Sequence, residues 1–355
     1  MPFSCDLSGA AKSIACISIA LSTFIPALQP AFAQSCALQD LGTLGGYASG
    51  GSAVNNRGQA VGLSDSILTT FPKQPMFGFL YDRGRMINLG ALGAVYSNAR
   101  GLNESGQVVG EVDPSSQDHQ AFLYDRGQMT VLGTLGGQYA GATGINNRGQ
   151  IVGFAYTSDQ AEHAFLYERG AMSDLGTLGG TASYASAINE QGQIVGSSGI
   201  ATGSTHAFFY QRRRMSDLGT LGGANSIASA LNERGQIVGS SDTSSGETHA
   251  FLFQHGTMID LGTLGGTYSE AEGINSSGQI VGNSTTSSGE SHPFFYDNGE
   301  MIDLSKHRRG TFEYAAGIND NGQIVGSATF SSGYSHAALC TLGRDKDEGD
   351  GNHHR

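Results

Sequence analysis

Apolar residues fall in short bursts along most of this chain, and no window of helical length carries a 3.6-residue apolar period. The stretch 220–262 shows the pattern. Residues 225–232 (NSIASALN) alternate small and apolar side chains, which suits a strand in a crowded place. Residues 232–235 (NERG) predict a tight turn, in which asparagine tolerates left-handed geometry and glycine supplies positive φ. A β-branched strand follows at 236–239 (QIVG), then a polar loop at 240–248. A third strand at 249–253 (HAFLF), a hairpin turn at 254–257 (QHGT) and a fourth strand at 258–261 (MIDL) complete the unit.

This unit recurs. Close variants of GINNRGQIVG begin at Ala53, Gly101, Gly144, Ala187, Ala230, Gly273 and Gly317, with four steps of 43 residues, one of 44 and one of 48. Four short strands at that period predict an all-β fold: a seven-bladed β-propeller of about 43-residue, four-stranded blades. An open β-solenoid is the runner-up, although its coils are usually shorter. The last repeat stops after its third strand, 336–340 (HAALC), and residues 36–41 (CALQDL) match the missing fourth. The N-terminal strand is therefore expected to close the ring by completing the last blade and covering its open edge. That pairing brings Cys36 beside Cys340, and a disulfide between them is expected.

The ends differ from the repeats. Residues 1–33 combine Lys12, an apolar run broken by Pro26 and a small-x-small site at Ala31-Phe32-Ala33, which reads as a secretory signal peptide. Residues 34–342 are expected to form one seven-repeat propeller domain, and 343–355 a disordered charged tail. Export to the extracellular space, cell surface or periplasm follows, an oxidising setting that suits the two remaining cysteines. The formal charge of −12 is unchanged by loss of the signal, which carries one acid, Asp6, and one base, Lys12. An acidic exported chain repels nucleic acid, so none is expected as a partner, nor is a membrane span in the mature chain.

Most recurring residues read as building material. The histidines opening the third strands (His163, His206, His249, His292 and His336) lie toward the outside of a blade, too far apart to share a zinc ion, and are expected to bond a neighbouring loop. The turn asparagines lack the alternate carboxylates of a calcium loop. GTLGG has neither the lysine nor the helix of a phosphate loop. Arg212-Arg213-Arg214 reads as a solvated turn, and no nucleophile elbow or zinc-protease helix is present. No cofactor or metal is expected.

Three motifs at fixed offsets, DLGTLGG, GINxxGQIVG and the His-Ala-Phe of HAFLY, HAFFY and HAFLF, closely resemble the HAF repeat family of extracellular bacterial proteins. The resemblance spans about 36–342 and implies export and repeat architecture, but no biochemical activity. Departures occur at Phe77 and Gln120 in place of the histidine, at 89–94 (LGALGA), and at 304–309 (LSKHRR) in place of LGTLGG.

Strand order predicts that the fourth-to-first connections and the second-to-third loops share one face. The copies stop agreeing in those loops: 63–76, 111–118, 154–162, 197–205, 240–248, 283–291 and 327–335. Binding residues concentrate on loops held by a rigid frame. Phe71, Lys73, Tyr156, Phe330 and Tyr334 are the candidates there. The expected function is non-enzymatic: a monomeric exported module that binds or scaffolds at the cell surface, through weak multivalent contacts to a glycan or protein. The alternatives are an enzyme acting on a polysaccharide or peptide in the central funnel, and a purely structural repeat.

Overall fold

The computed structural model describes residues 35–66, 75–115, 118–307 and 310–343. The expected signal segment and all of the expected tail but Gly343 lie outside them. The described residues hold 29 strands arranged as antiparallel meanders, mostly of four strands each. In one eight-stranded sheet, two such meanders touch through a single parallel bridge, Thr248 to Tyr268. No helix among the described residues is long and apolar enough to cross a membrane.

The unit read from sequence contains the strands Gly222–Leu231, Ile237–Thr243, Thr248–Gln254 and Thr257–Asp260. The number and order are as expected, but the lengths need correcting. The second strand continues to Thr243, and the polar loop expected at 240–248 shrinks to a turn closed by the Thr243 N–H on the Glu247 carbonyl, at 2.8 Å. Ser240 and Ser241 are strand residues rather than loop residues. Ser241 is buried and its hydroxyl accepts the Leu221 N–H at 2.9 Å, so a polar side chain is satisfied inside the fold rather than solvated.

The turn asparagines also need correction. None adopts the left-handed conformation, which falls to the glycine alone, Gly235 at φ 75° in this unit. Asn232 instead accepts the N–H groups of Arg234 and Gln236 at its Oδ1. The glycine of QIVG has a steric role rather than a turn role. A Cβ at Gly239 would lie 1.9 Å from the Ile227 carbonyl oxygen, beside a β-bulge between Ala228 and Ala230.

Successive units are fastened by the first-strand serine. Ser226 accepts the Ala207 N–H from the preceding unit at 2.8 Å and donates to the Gly219 carbonyl at 2.6 Å. Around it Val195 and Ala207 of one unit share an apolar core with Ala228, Ile237 and Phe251 of the next. Where the motif degenerates to LGALGA, the first strand shortens to Ser97–Leu102.

The two ends of the described chain meet. Ser35–Asp40 pairs antiparallel with Ser335–Gly343, and Cys36 and Cys340 are disulfide-bonded with Cα atoms 5.2 Å apart. The Ala337 N–H donates to Ser49 of the first repeat at 2.8 Å. Val325 and Leu339 share a core with Ala60 and Phe79.

Candidate functional site

The recurring polar residues are accounted for by the frame. Each HAF histidine bonds through Nδ1 to the aspartate eleven residues on: His163 to Asp174, His206 to Asp217, His249 to Asp260 and His292 to Asp303, at 2.7–2.9 Å. The partner is a strand aspartate, not the loop expected. His336 takes Asp40 of the N-terminal strand in the same role, at 3.0 Å. The turn asparagines form a series in which each amide donates to the carbonyl of the next, from Asn55 through Asn103, Asn146, Asn189, Asn232 and Asn275 to Asn319. Asn319 donates in turn to the Asn55 carbonyl at 2.8 Å.

A cavity of about 340 Å³ opens among the first strands. The residue three before each turn asparagine lines it in every copy: Ser52, Arg100, Thr143, Ser186, Ser229, Glu272 and Ala316. This row is small or hydroxylated except for Arg100 and Glu272. The row two residues earlier, on the same face of the strands, adds Asn98, Tyr184 and Tyr314.

The two charged positions have different surroundings. Arg100 pairs with buried Glu111 at 2.8 Å, and Glu111 also accepts Asn98 and Tyr96 at 3.3 and 3.4 Å. Burial works to lower the Arg100 pKa, but the charge and hydrogen bond of Glu111 together with Tyr184 and Tyr96 outweigh it, and the guanidinium is held more firmly than usual. Glu272 accepts the Tyr314 hydroxyl at 2.6 Å. Burial pushes its carboxyl up to about 7; the Tyr314 bond opposes this and the Glu270 charge adds to it. Among the described residues no cation pairs with Glu270 or Glu272 at ion-pair distance.

Of the loop candidates, Tyr156, Phe330 and Tyr334 are not among the residues that line this cavity. Phe71 and Lys73 fall outside the described residues. Tyr156 packs edge-on against Tyr139, which also meets the His119 ring at a tilt. Tyr334 and Tyr47 meet at 5.2 Å between ring centroids, both about half exposed, and Phe330 lies against His336. Sequence reasoning passed over Arg100, Tyr184, Glu272 and Tyr314, because it read the first strand as crowded structure. Aligning the copies on the turn asparagine is the signal that finds them: one otherwise small row holds an arginine and a glutamate.

No protein-family model matches the chain, and no curated protein matches it in sequence. Solved structures do. The β-propeller domain of the trilobed protease from Pyrococcus furiosus, described as having an open velcro topology, has a TM-score of 0.54 at 9% identity, over 86% of this chain and 99% of that one. A puromycin-hydrolysing peptidase of Mycobacterium tuberculosis has a TM-score of 0.53 at 11% identity, over 89% of this chain and 54% of that one. An acylaminoacyl peptidase of Pyrococcus horikoshii has a TM-score of 0.52 at 10% identity, over 87% and 52%. The chain thus spans about half the length of these two peptidases. At such identities the likeness shows the fold alone, a β-propeller.

Proposed function

We propose that this chain is an exported, closed seven-bladed propeller that binds a sugar in its central cavity without transforming it. The observation that carries the binding is the lining: hydroxyls of Ser52, Ser186 and Ser229 beside the rings of Tyr184 and Tyr314. Hydroxyls exchange hydrogen bonds with a sugar, and tyrosines present an apolar face with a polar tip. The loop residues Phe71, Lys73, Tyr156, Phe330 and Tyr334 are proposed as outer contacts to a longer glycan or to a protein carrying it.

Closure is supported by the asparagine series that returns to Asn55, by the Ala337–Ser49 bond, and by Asp40 and Cys36 standing in the last repeat. The disulfide supports export. The three sequence motifs support kinship with HAF repeat proteins. Catalysis on a polysaccharide or peptide in the same cavity is the alternative, and the peptidase likeness supplies the fold for it, not a reaction.

Saturation-transfer NMR with neutral mono- and oligosaccharides tests the proposal. Millimolar binding is expected, weakened about tenfold by Tyr184→Ala through loss of one aromatic face. Absence of transfer to any sugar rejects the sugar reading, and cleavage of a bound oligosaccharide replaces it with the enzymatic one.

A further inference from the structure

The lining of the central cavity is not electrically balanced. The charge of Arg100 is taken up by Glu111 at 2.8 Å. Glu272 has the Tyr314 hydroxyl at 2.6 Å but no cation, and Glu270, two residues away, receives the Tyr268 hydroxyl at 2.5 Å and likewise has no cation. Both carboxylates stand on the strand Gly265–Ile274, with Glu272 itself in the cavity wall. The neighbouring strands Gly222–Leu231 and Ile280–Thr286 contribute no ionisable side chain; Ile237–Thr243 contributes Asp242, bonded to Asn225 and Thr248; Thr248–Gln254 contributes His249, bonded to Asp260; and Gly310–Ile318 contributes Tyr314 and Glu313. Glu313 is turned to Thr329 and Ser335. No cation therefore stands beside Glu272, and a partly buried carboxylate without an opposite charge is costly.

We infer that the cavity is specific for an amino sugar, with the ammonium group against Glu272, the ring against Tyr184 and Tyr314, and the hydroxyls on the serines and Arg100. This rests on the sugar-binding reading above and narrows it to a chemical class. Three features of the cavity agree. Its volume of about 340 Å³ lies at the small end of ligand sites, which suits one sugar unit rather than a long polymer. Tyrosine rings in the wall attract an organic cation through their π faces. A hard metal cation is a poorer occupant, because it requires about six oxygen ligands and the wall supplies one carboxylate with a second beside it. Burial pushes the Glu272 carboxyl up to about 7, so at pH 6.5 it carries a proton in most molecules before a cation binds. A bound ammonium takes the place of that proton, which passes to solvent.

Isothermal titration of the full chain at pH 6.5 with glucosamine, glucose and N-acetylglucosamine tests the inference. Glucosamine is expected to bind at least about tenfold more tightly than the two neutral sugars, the size of one charge-assisted hydrogen bond. Repeating the titration in two buffers of different ionisation heat should show a proton released on glucosamine binding only. Glu272→Gln should abolish the preference for glucosamine over glucose and the proton release. Tyr314→Phe, which keeps the ring, should reduce the preference in part and stands in if Glu272→Gln fails to fold. Equal binding of glucosamine and glucose, unchanged by either substitution, overturns the amine specificity and leaves sugar binding standing. No binding of any of the three overturns both.

Discussion

Gly239 has no room for a methyl group, and its equivalents in the other repeats meet the preceding strand in the same way: a Cβ at Gly196 would sit 1.9 Å from the Tyr184 carbonyl oxygen and one at Gly153 2.0 Å from that of Gly141. Gly239→Ala should lower stability by about 1–3 kcal/mol, the usual cost of overpacking, read from urea unfolding at constant slope. The need for these glycines was legible in the sequence, but their reason was not. A repeated glycine reads as a turn, whereas here it permits a close backbone approach at a bulge, a tertiary contact with no local signature. The turn asparagines show the same limit. Their place in a turn was legible from the Asn-x-x-Gly spacing, while the amide of each reaches a carbonyl in another repeat, which no local rule predicts.

At the scale of the element, the histidine of the third strand and the aspartate of the fourth act as a clasp on the outer hairpin. Asp217 holds His206 and also accepts the Gly219 N–H at 2.7 Å, joining hairpin to connection. Asp217→Ala should cost about 1–2 kcal/mol by removing both bonds. Asp217→Asn should cost less, since Asn88 in the first repeat still caps Gly90 at 2.8 Å. Amide hydrogen exchange at Gly219 separates the two: protection falls in the alanine variant and persists in the asparagine one. The strands themselves were legible from apolar alternation, and four per repeat is what the structure contains. The clasp was legible too, had the copies been compared with one another. Phe77 and Gln120 replace the histidine, and eleven residues on Asn88 and Val131 replace the aspartate. The loop lengths were not legible, because Ser198, Ser241 and Ser284 look solvated in sequence and are buried in the fold.

For the whole molecule, the decisive contacts join residues far apart in the chain. Cys36 and Cys340 are separated by 304 positions. Cys340→Ser should lower stability by about 2–5 kcal/mol if the link constrains the unfolded chain as loop-closure entropy implies. Non-reducing mass spectrometry of the protein should show the intramolecular bond, and two free thiols with an unchanged melting temperature would contradict it. The pairing of the ends was legible, because the last repeat lacks a strand that the first residues supply. The cavity was not, because Arg100 and Glu272 come into one wall only through the order of the repeats. The strand Ser35–Asp40 carries everything the last repeat lacks: its edge, its aspartate and its cysteine. None of those contacts distinguishes a strand of the same molecule from the identical strand of another. Two chains that exchange this strand keep every bond, so what favours pairing within one chain is the high local concentration of its own end, and crowding of unfinished chains favours exchange.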